Sequence, residues 1–178
     1  MQGLARIAAE ELSMRFFSRS SCLLATLGGL TFAAMTPTYP AETDPAILST
    51  IDAAIGAINA GSEPDLQLVF LDSPTAITDD FAPFSWGGKT AVADYSRDLK
   101  AVLSQYKITD WRFQRHAPRY IFATDSRAEA VIPASFPFML GGKPQSVSAD
   151  WLFILDKKEG KWKIDVMSFV DSHHTLVP

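Results

Sequence analysis

Apolar positions recur with two different periods along this chain, and each period predicts its own kind of element. In DPAILSTIDAAIGAINAG, residues 44–61, Ile47, Ile51, Ile55 and Ile58 with Leu48 form one stripe at helical spacing. Asp44 suits an N-cap, Pro45 the first helical position, and Gly61 the C-terminal stop. A short second helix is predicted after Pro64, with Leu66, Val69 and Phe70 inward. SPTAITDDF then reads as a brief strand and APFSWGG as a loop. From near Thr90, Val92, Tyr95, Leu99, Val102, Leu103 and Tyr106 fall on one face of a third helix. From Ile108 the period becomes two, and strand is predicted to the end.

The strand register follows from keeping one face apolar, because a one-residue slip would turn every side chain over. A four-residue turn at Lys157–Gly160 sets Leu155 opposite Trp162, Phe153 opposite Ile164 and Trp151 opposite Val166. A turn around GGKPQS sets Phe138 opposite Ala149 and Phe136 opposite Trp151. A tight turn at Thr124–Arg127 sets Ala123 opposite Ala128 and Ile121 opposite Ala130. Four antiparallel strands in chain order thus form a meander. Pro118 would face Pro133, so the ladder is expected to break there in a bulge. The opposite face carries Asp150, Leu152 and Ile154 beside Asp165, Met167 and Phe169, and it too wants cover. Helices first and a long meander after them define an α+β fold.

With 178 residues, 47% hydrophobic and 20% charged, the chain has the size and balance of one globular domain. A net charge of −4 argues against a nucleic-acid partner, because binding phosphates takes a concentrated basic surface. Arg112, Arg115 and Arg119 read as a solvated strand edge. Residues 1–41 fall outside the predicted domain. From Met14 they carry two arginines, an apolar run from Cys22 to Met35, then small residues and prolines, which is the layout of a secretory signal. Met1–Ser13 read as an upstream extension. The apolar run is shorter than the ~20 residues of a spanning helix, so no stable membrane insertion is expected once the signal is cleaved, after Ala34 or Ala41. Residues 42–178 would be exported, to the periplasm or the medium. They contain no cysteine, so their stability rests on the core alone.

AAIGAINAG followed by DLQLVFLDSPTAITDD resembles the first helix, second helix and first strand of the SnoaL-like, or nuclear-transport-factor-like, superfamily. WGGKTAVADY is similar to the loop and start of its third helix, and KKEGKWKIDV to its closing hairpin. The resemblance runs from about Asp44 to Asp171. It implies that residues 42–178 form a cone-shaped α+β barrel, with three N-terminal helices packed on a strongly curved, mainly antiparallel sheet. It also implies a mostly apolar pocket inside the cone and a homodimer formed through the sheet. The superfamily includes ketosteroid isomerases, polyketide cyclases, dehydratases and epoxide hydrolases, as well as proteins that only bind. Matched to the isomerases, Thr78-Asp79-Asp80-Phe81 would place Asp80 as general base, and Ala149-Asp150-Trp151 would place Asp150 as a protonated, hydrogen-bonding acid. An acid among Leu152, Ile154 and Met167 resists ionising, an effect for which the isomerases are the standing example. Their first-helix tyrosine has no counterpart. The matching position is close to Ala54, and no neighbour from Ile51 to Ile58 can donate that bond.

Three functions are open to these residues. The preferred one is binding of a small, largely apolar molecule, with Trp86, Tyr95, Leu152, Asp165, Met167 and Phe169 as candidate lining. The second is cofactor-free acid–base catalysis of isomerase, cyclase or dehydratase type by Asp80 and Asp150, with His116 as a reserve base near neutral pH. The third is a dimeric interaction module using Leu152, Ile154, Met167 and Phe169 as a sticky face. The choice turns on which face is concave. If Trp151, Phe153, Trp162 and Ile164 line the pocket, Asp150 and Asp165 point away from it. Trp86 either stacks at the pocket lip or plugs the cone. No cofactor and no metal are expected: His173 and His174 beside Asp171 would point apart, and no further ligand comes at metal spacing. Gly87-Gly88 and Gly141-Gly142 read as turns rather than phosphate cradles. No serine sits in a nucleophile elbow, so no hydrolase triad can be assembled.

Overall fold

The computed structural model describes residues 44–173. The expected signal, its cleavage sites and His174 lie outside them. Helix α1 (Pro45–Ala60) forms where its caps and its stripe agree. Asp44 accepts the Ala46 N–H at 3.0 Å, and Gly61 ends the helix at φ 63°, donating to the Ile58 carbonyl. Ile47, Ile51, Ile55 and Ile58 are all buried. Helix α2 (Glu63–Val69) follows with Leu66 inward, and Phe70 beyond it is buried as well. Helix α3 (Ala91–Gln105) buries Val92, Tyr95 and Leu99, while Val102 and Leu103 remain half-buried.

The strands are β1 (Ala76–Thr78), β2 (Ser85–Trp86), β3 (Ile108–Thr109), β4 (Gln114–Arg115), β5 (Tyr120–Ala123), β6 (Arg127–Leu140), β7 (Lys143–Lys158) and β8 (Lys161–His173). They make one curled sheet in the order β2-β1-β8-β7-β6-β3, with β4 and β5 also paired to β6. β5 to β8 form the expected meander, and Ala123 does face Ala128, as Ile121 faces Ala130. Strand β1 lies parallel to β8, which makes the sheet mixed. Part of the presumed APFSWGG loop is β2, which pairs with β1. Between β4 and β5 the pairing to β6 is interrupted, with Pro118 and Pro133 at the break.

Two hairpins are tighter than their charged and polar sequences suggest. Glu159 and Gly160 close β7 to β8 with φ of 51° and 77°, and Gly141 and Gly142 close β6 to β7 at 58° and 77°. Positive φ at both positions gives the turn whose twist matches that of the strands. Leu155 therefore faces Ile164 rather than Trp162, and Ile132 rather than Phe136 faces Trp151. Both errors are even, so up to Ile164 each side chain keeps its predicted face.

A bulge then changes the phase. Leu155 pairs with Ile164 but Ile154 with Val166, which leaves Asp165 as the extra residue. Met167 and Phe169, expected on the outer face, turn inward for this reason. Met167 is fully buried, and the Phe169 ring meets Trp151 edge-on at 5.9 Å. The inner face holds Ala128, Ala130, Ile132 and Ala134 of β6 beside Leu155, Phe153, Trp151 and Ala149 of β7. Small residues on one strand make room for large ones on the next, and each large side chain buried there contributes about 2–3 kcal/mol. The concave face is thus the one with Trp151, Phe153, Trp162 and Ile164.

Candidate functional site

The β1–β2 hairpin and α3 bring an acid and three rings together. Pairing of Ile77 with Trp86 and Thr78 with Ser85 turns the chain between them back over α3. Tyr95 and Asp98, one turn apart on α3, face this loop. Tyr95 Oη donates to Asp79 Oδ2 at 3.1 Å, and Trp86 Nε1 donates to Asp98 Oδ2 at 2.9 Å. The Phe81, Trp86 and Tyr95 ring centroids lie 5.1, 6.0 and 5.2 Å apart, within aromatic packing range. Trp86 is buried in this trio.

Burial, and then the neighbouring charge of Asp80, push the Asp79 carboxyl up to about 8. The Asp80 N–H bonds Asp79 Oδ1 at 2.8 Å, which partly offsets that rise. The Tyr95 phenol is also driven well above its ordinary value, by burial first and the Asp79 charge second. Asp98 moves the other way, because Arg97 and the Trp86 N–H hold its carboxylate ionised. At neutral pH Asp79 is therefore a neutral carboxylic acid next to a phenol. From this acidic pair the sequence singled out Asp80 and not Asp79, whose carboxyl burial raises.

The other predicted residues are dispersed. Asp150 sits on the convex face in an ion pair with Arg119 at 2.9 Å, away from the Trp151 and Phe153 side. Leu152 shares that face, half-buried. Asp165, placed by the bulge, accepts the Thr75 N–H at 2.9 Å and lies 3.9 Å from an Arg127 nitrogen, so it ties the approach to β1 onto β8. His116 is exposed on the irregular stretch after β4, its N–H bonded to the Pro133 carbonyl. Met167 and Phe169 belong to the inner core. Trp86 and Tyr95 are brought together, and Asp80 joins them through Asp79. Among the described residues, no group of three or more His, Cys, Asp or Glu could hold a metal ion.

A separate cleft of about 280 Å³ opens on the helical side. Its walls are the last turn of α1, the start of α2, the middle of α3 and the segment from Ile108 to Arg112. Ile58, Leu99, Leu103 and Trp111 supply its apolar lining, and Tyr95 also borders it. Asn59 fixes the far wall by donating to the Phe113 carbonyl at 2.9 Å and accepting the Phe113 N–H at 2.7 Å. Trp111 stacks on Phe136 at 5.7 Å, and Phe113 packs against both Phe136 and Trp151. These rings fill the inner layer of the cone beneath the cleft. Trp151 Nε1 lies buried there with no acceptor. Sequence reasoning missed Asn59, Lys100, Leu103 as lining, Trp111 and Arg112. One signal was available: Asn59 is a polar residue one turn after Ile55, next to the buried stripe.

No family model and no curated protein matches this sequence. Solved structures do match its fold. A hexachlorocyclohexane dehydrochlorinase, LinA-type3 from Novosphingobium barchaimii, aligns with a TM-score of 0.62 at 14% identity, over 75% of this chain and 88% of that one. A nuclear transport factor 2-like superfamily protein from Salmonella enterica aligns at 0.60 and 15%, over 75% and 93%. An uncharacterised protein with a cystatin-like fold from Caulobacter vibrioides aligns at 0.56 and 16%, over 71% and 89%. The chain has the nuclear-transport-factor-2-like α+β cone fold. The resemblance read from its sequence holds at that level, and fold alone assigns no activity.

Proposed function

We propose that this is an exported pocket protein that binds a small, largely apolar molecule in the helix-side cleft, without chemistry. The observation that carries the reading is the cleft itself: an apolar-lined recess whose far wall is fixed by the Asn59–Phe113 bond pair. A preformed concavity that combines an apolar wall with polar groups is the usual form of a small-molecule site. Its volume is at the low end for such sites, which favours a ligand smaller than a steroid. The signal-like segment before residue 42 and the absence of cysteine after Cys22 support export. Native mass spectrometry of the purified protein, with solvent extraction, tests the reading. A co-purifying apolar molecule of small mass is expected, and it should be lost when Leu103→Trp fills the cleft. Retention of the same molecule by that variant would contradict it.

A second reading is cofactor-free acid–base catalysis, favoured by one observation. Asp79 keeps its proton near neutrality and is bonded to Tyr95, which borders the cleft. A pKa close to the working pH is what a proton-transferring group needs. Asp79, rather than Asp80 or Asp150, would carry it. A homodimer through the convex sheet face is proposed on the apolar rows that cross it. One row runs Tyr120, Val131, Leu152 and ends at Ser168, and the next runs Phe122, Glu129, Ile154 and Val166, so the apolar stretch is broken by Glu129 alone before Ser168. Light scattering tests that state: a monomer over the micromolar range would exclude it.

A further inference from the structure

The cleft's charge deepens the binding reading, on which this inference rests. Of the described arginines, Arg97, Arg115, Arg119 and Arg127 each hold an aspartate. Arg112 lines the cleft and has no carboxylate partner; its Nη1 donates to the carbonyl of Trp111 at 2.9 Å. Lys100 lines the same cleft from α3, also without an ion pair among the described residues. Its Cε passes 3.4 Å from where a Cβ on Gly61 would stand, so the bare glycine leaves room for its stem. Asp110 is the one acidic residue in the lining. A chain with 20 acidic and 16 basic residues thus presents a net positive recess. Two cations with no carboxylate partner among the described residues, beside Ile58, Leu99, Leu103 and Trp111, suit a ligand that is apolar at one end and anionic at the other.

We infer that the cleft takes a small amphipathic carboxylate, its hydrocarbon body on the apolar wall and its head group on Arg112 and Lys100. The guanidinium fork matches a carboxylate with two parallel hydrogen bonds, and the lysine adds a point charge. A neutral molecule of the same shape gains only the apolar contact, and a cationic one meets repulsion.

Isothermal titration of the purified protein with octanoate, octanol and octylammonium near neutral pH tests this. Octanoate is expected to bind about tenfold more tightly than octanol, the size of one charge-assisted hydrogen bond. Octylammonium should be the weakest. The preference for octanoate should shrink in Arg112→Gln and in Lys100→Gln and fall with added salt, while octanol affinity stays put. Equal binding of octanoate and octanol, both lost in Leu103→Trp, would overturn the inference and leave the cleft as a neutral apolar site. A preference that survives both charge variants would also overturn it, because the head group would then sit elsewhere. Binding of none of the three would take down the cleft reading and this inference with it.

Discussion

Replacing Asp79 by asparagine tests the electrostatics of the hairpin loop more sharply than any other single change. In the folded protein the Asp79 carboxyl is raised from 3.8 to about 8, chiefly by burial and then by Asp80. The folded state therefore keeps a proton that the unfolded chain releases above about pH 4. Stability from this group is full below that value and is lost as pH rises towards about 8, where the folded carboxyl at last ionises. The slope is about 1.4 kcal/mol per pH unit, or roughly 3–4 °C per kcal/mol in a domain of this size. Asparagine copies the neutral acid: its oxygen can accept the Asp80 N–H, and its amide can donate to Tyr95 Oη. The variant should match the parent near pH 4 and outlast it by several kcal/mol near pH 8. Thermal melts of both proteins at intervals across that range read the difference, because titrating groups away from this loop cancel. A gap that stays constant from acid to neutral pH would refute the reasoning, since Asp79 would then be ionised in the folded state.

Trp86→Phe keeps the aromatic trio but loses the Nε1–H bond to Asp98, and should cost about 1 kcal/mol in urea unfolding; Trp86→Ala should cost about 3–5 kcal/mol. Asp165→Ala removes the carboxylate half of a shared bond: the Thr75 N–H keeps the Asp165 backbone carbonyl at 3.0 Å, so only about 1 kcal/mol should go with it. Hydrogen exchange should then quicken first in β1. Asp150→Asn breaks a partly exposed pair with Arg119, so its stability should change by less than about 1 kcal/mol, with ligand binding unchanged. Gly160→Ala meets no atom within 4 Å, yet its φ of 77° should cost about 1 kcal/mol in thermal melts through backbone strain alone.

The first helix could be read to the residue, because three independent signals at Asp44, Pro45 and Gly61 agree with one stripe. The sheet's faces could be read although its turns could not. Apolar alternation constrains only parity, and polar runs such as Lys157–Gly160 do not disclose how many residues stay in the ladder. The Asp165 bulge was hidden for a related reason. Trp162, Ile164 and Val166 continue one phase, while Met167 and Phe169 begin the other, so the adjacent apolar pair masks the slip. Ser168 between Met167 and Phe169 was the clue to the second phase. The slip changes which candidate residues face inward, because it turns Met167 and Phe169 into the core and leaves Asp165 to brace a loop. Asp79 and Asp80 could not be separated, since consecutive residues at a strand end differ only in what lies above them. The cleft draws on four segments, and its cations look like ordinary surface until their lack of partners is seen.

Chemical-shift mapping with octanol, which carries no head-group charge, locates the site without presuming its ligand. The cleft reading predicts that amides in residues 57–62, 99–103 and 108–112 move together and saturate, while those flanking Asp79 and the inner strand β7 stay still. Saturating shifts centred on β1, Asp79 and β7 instead would place binding inside the cone and contradict it.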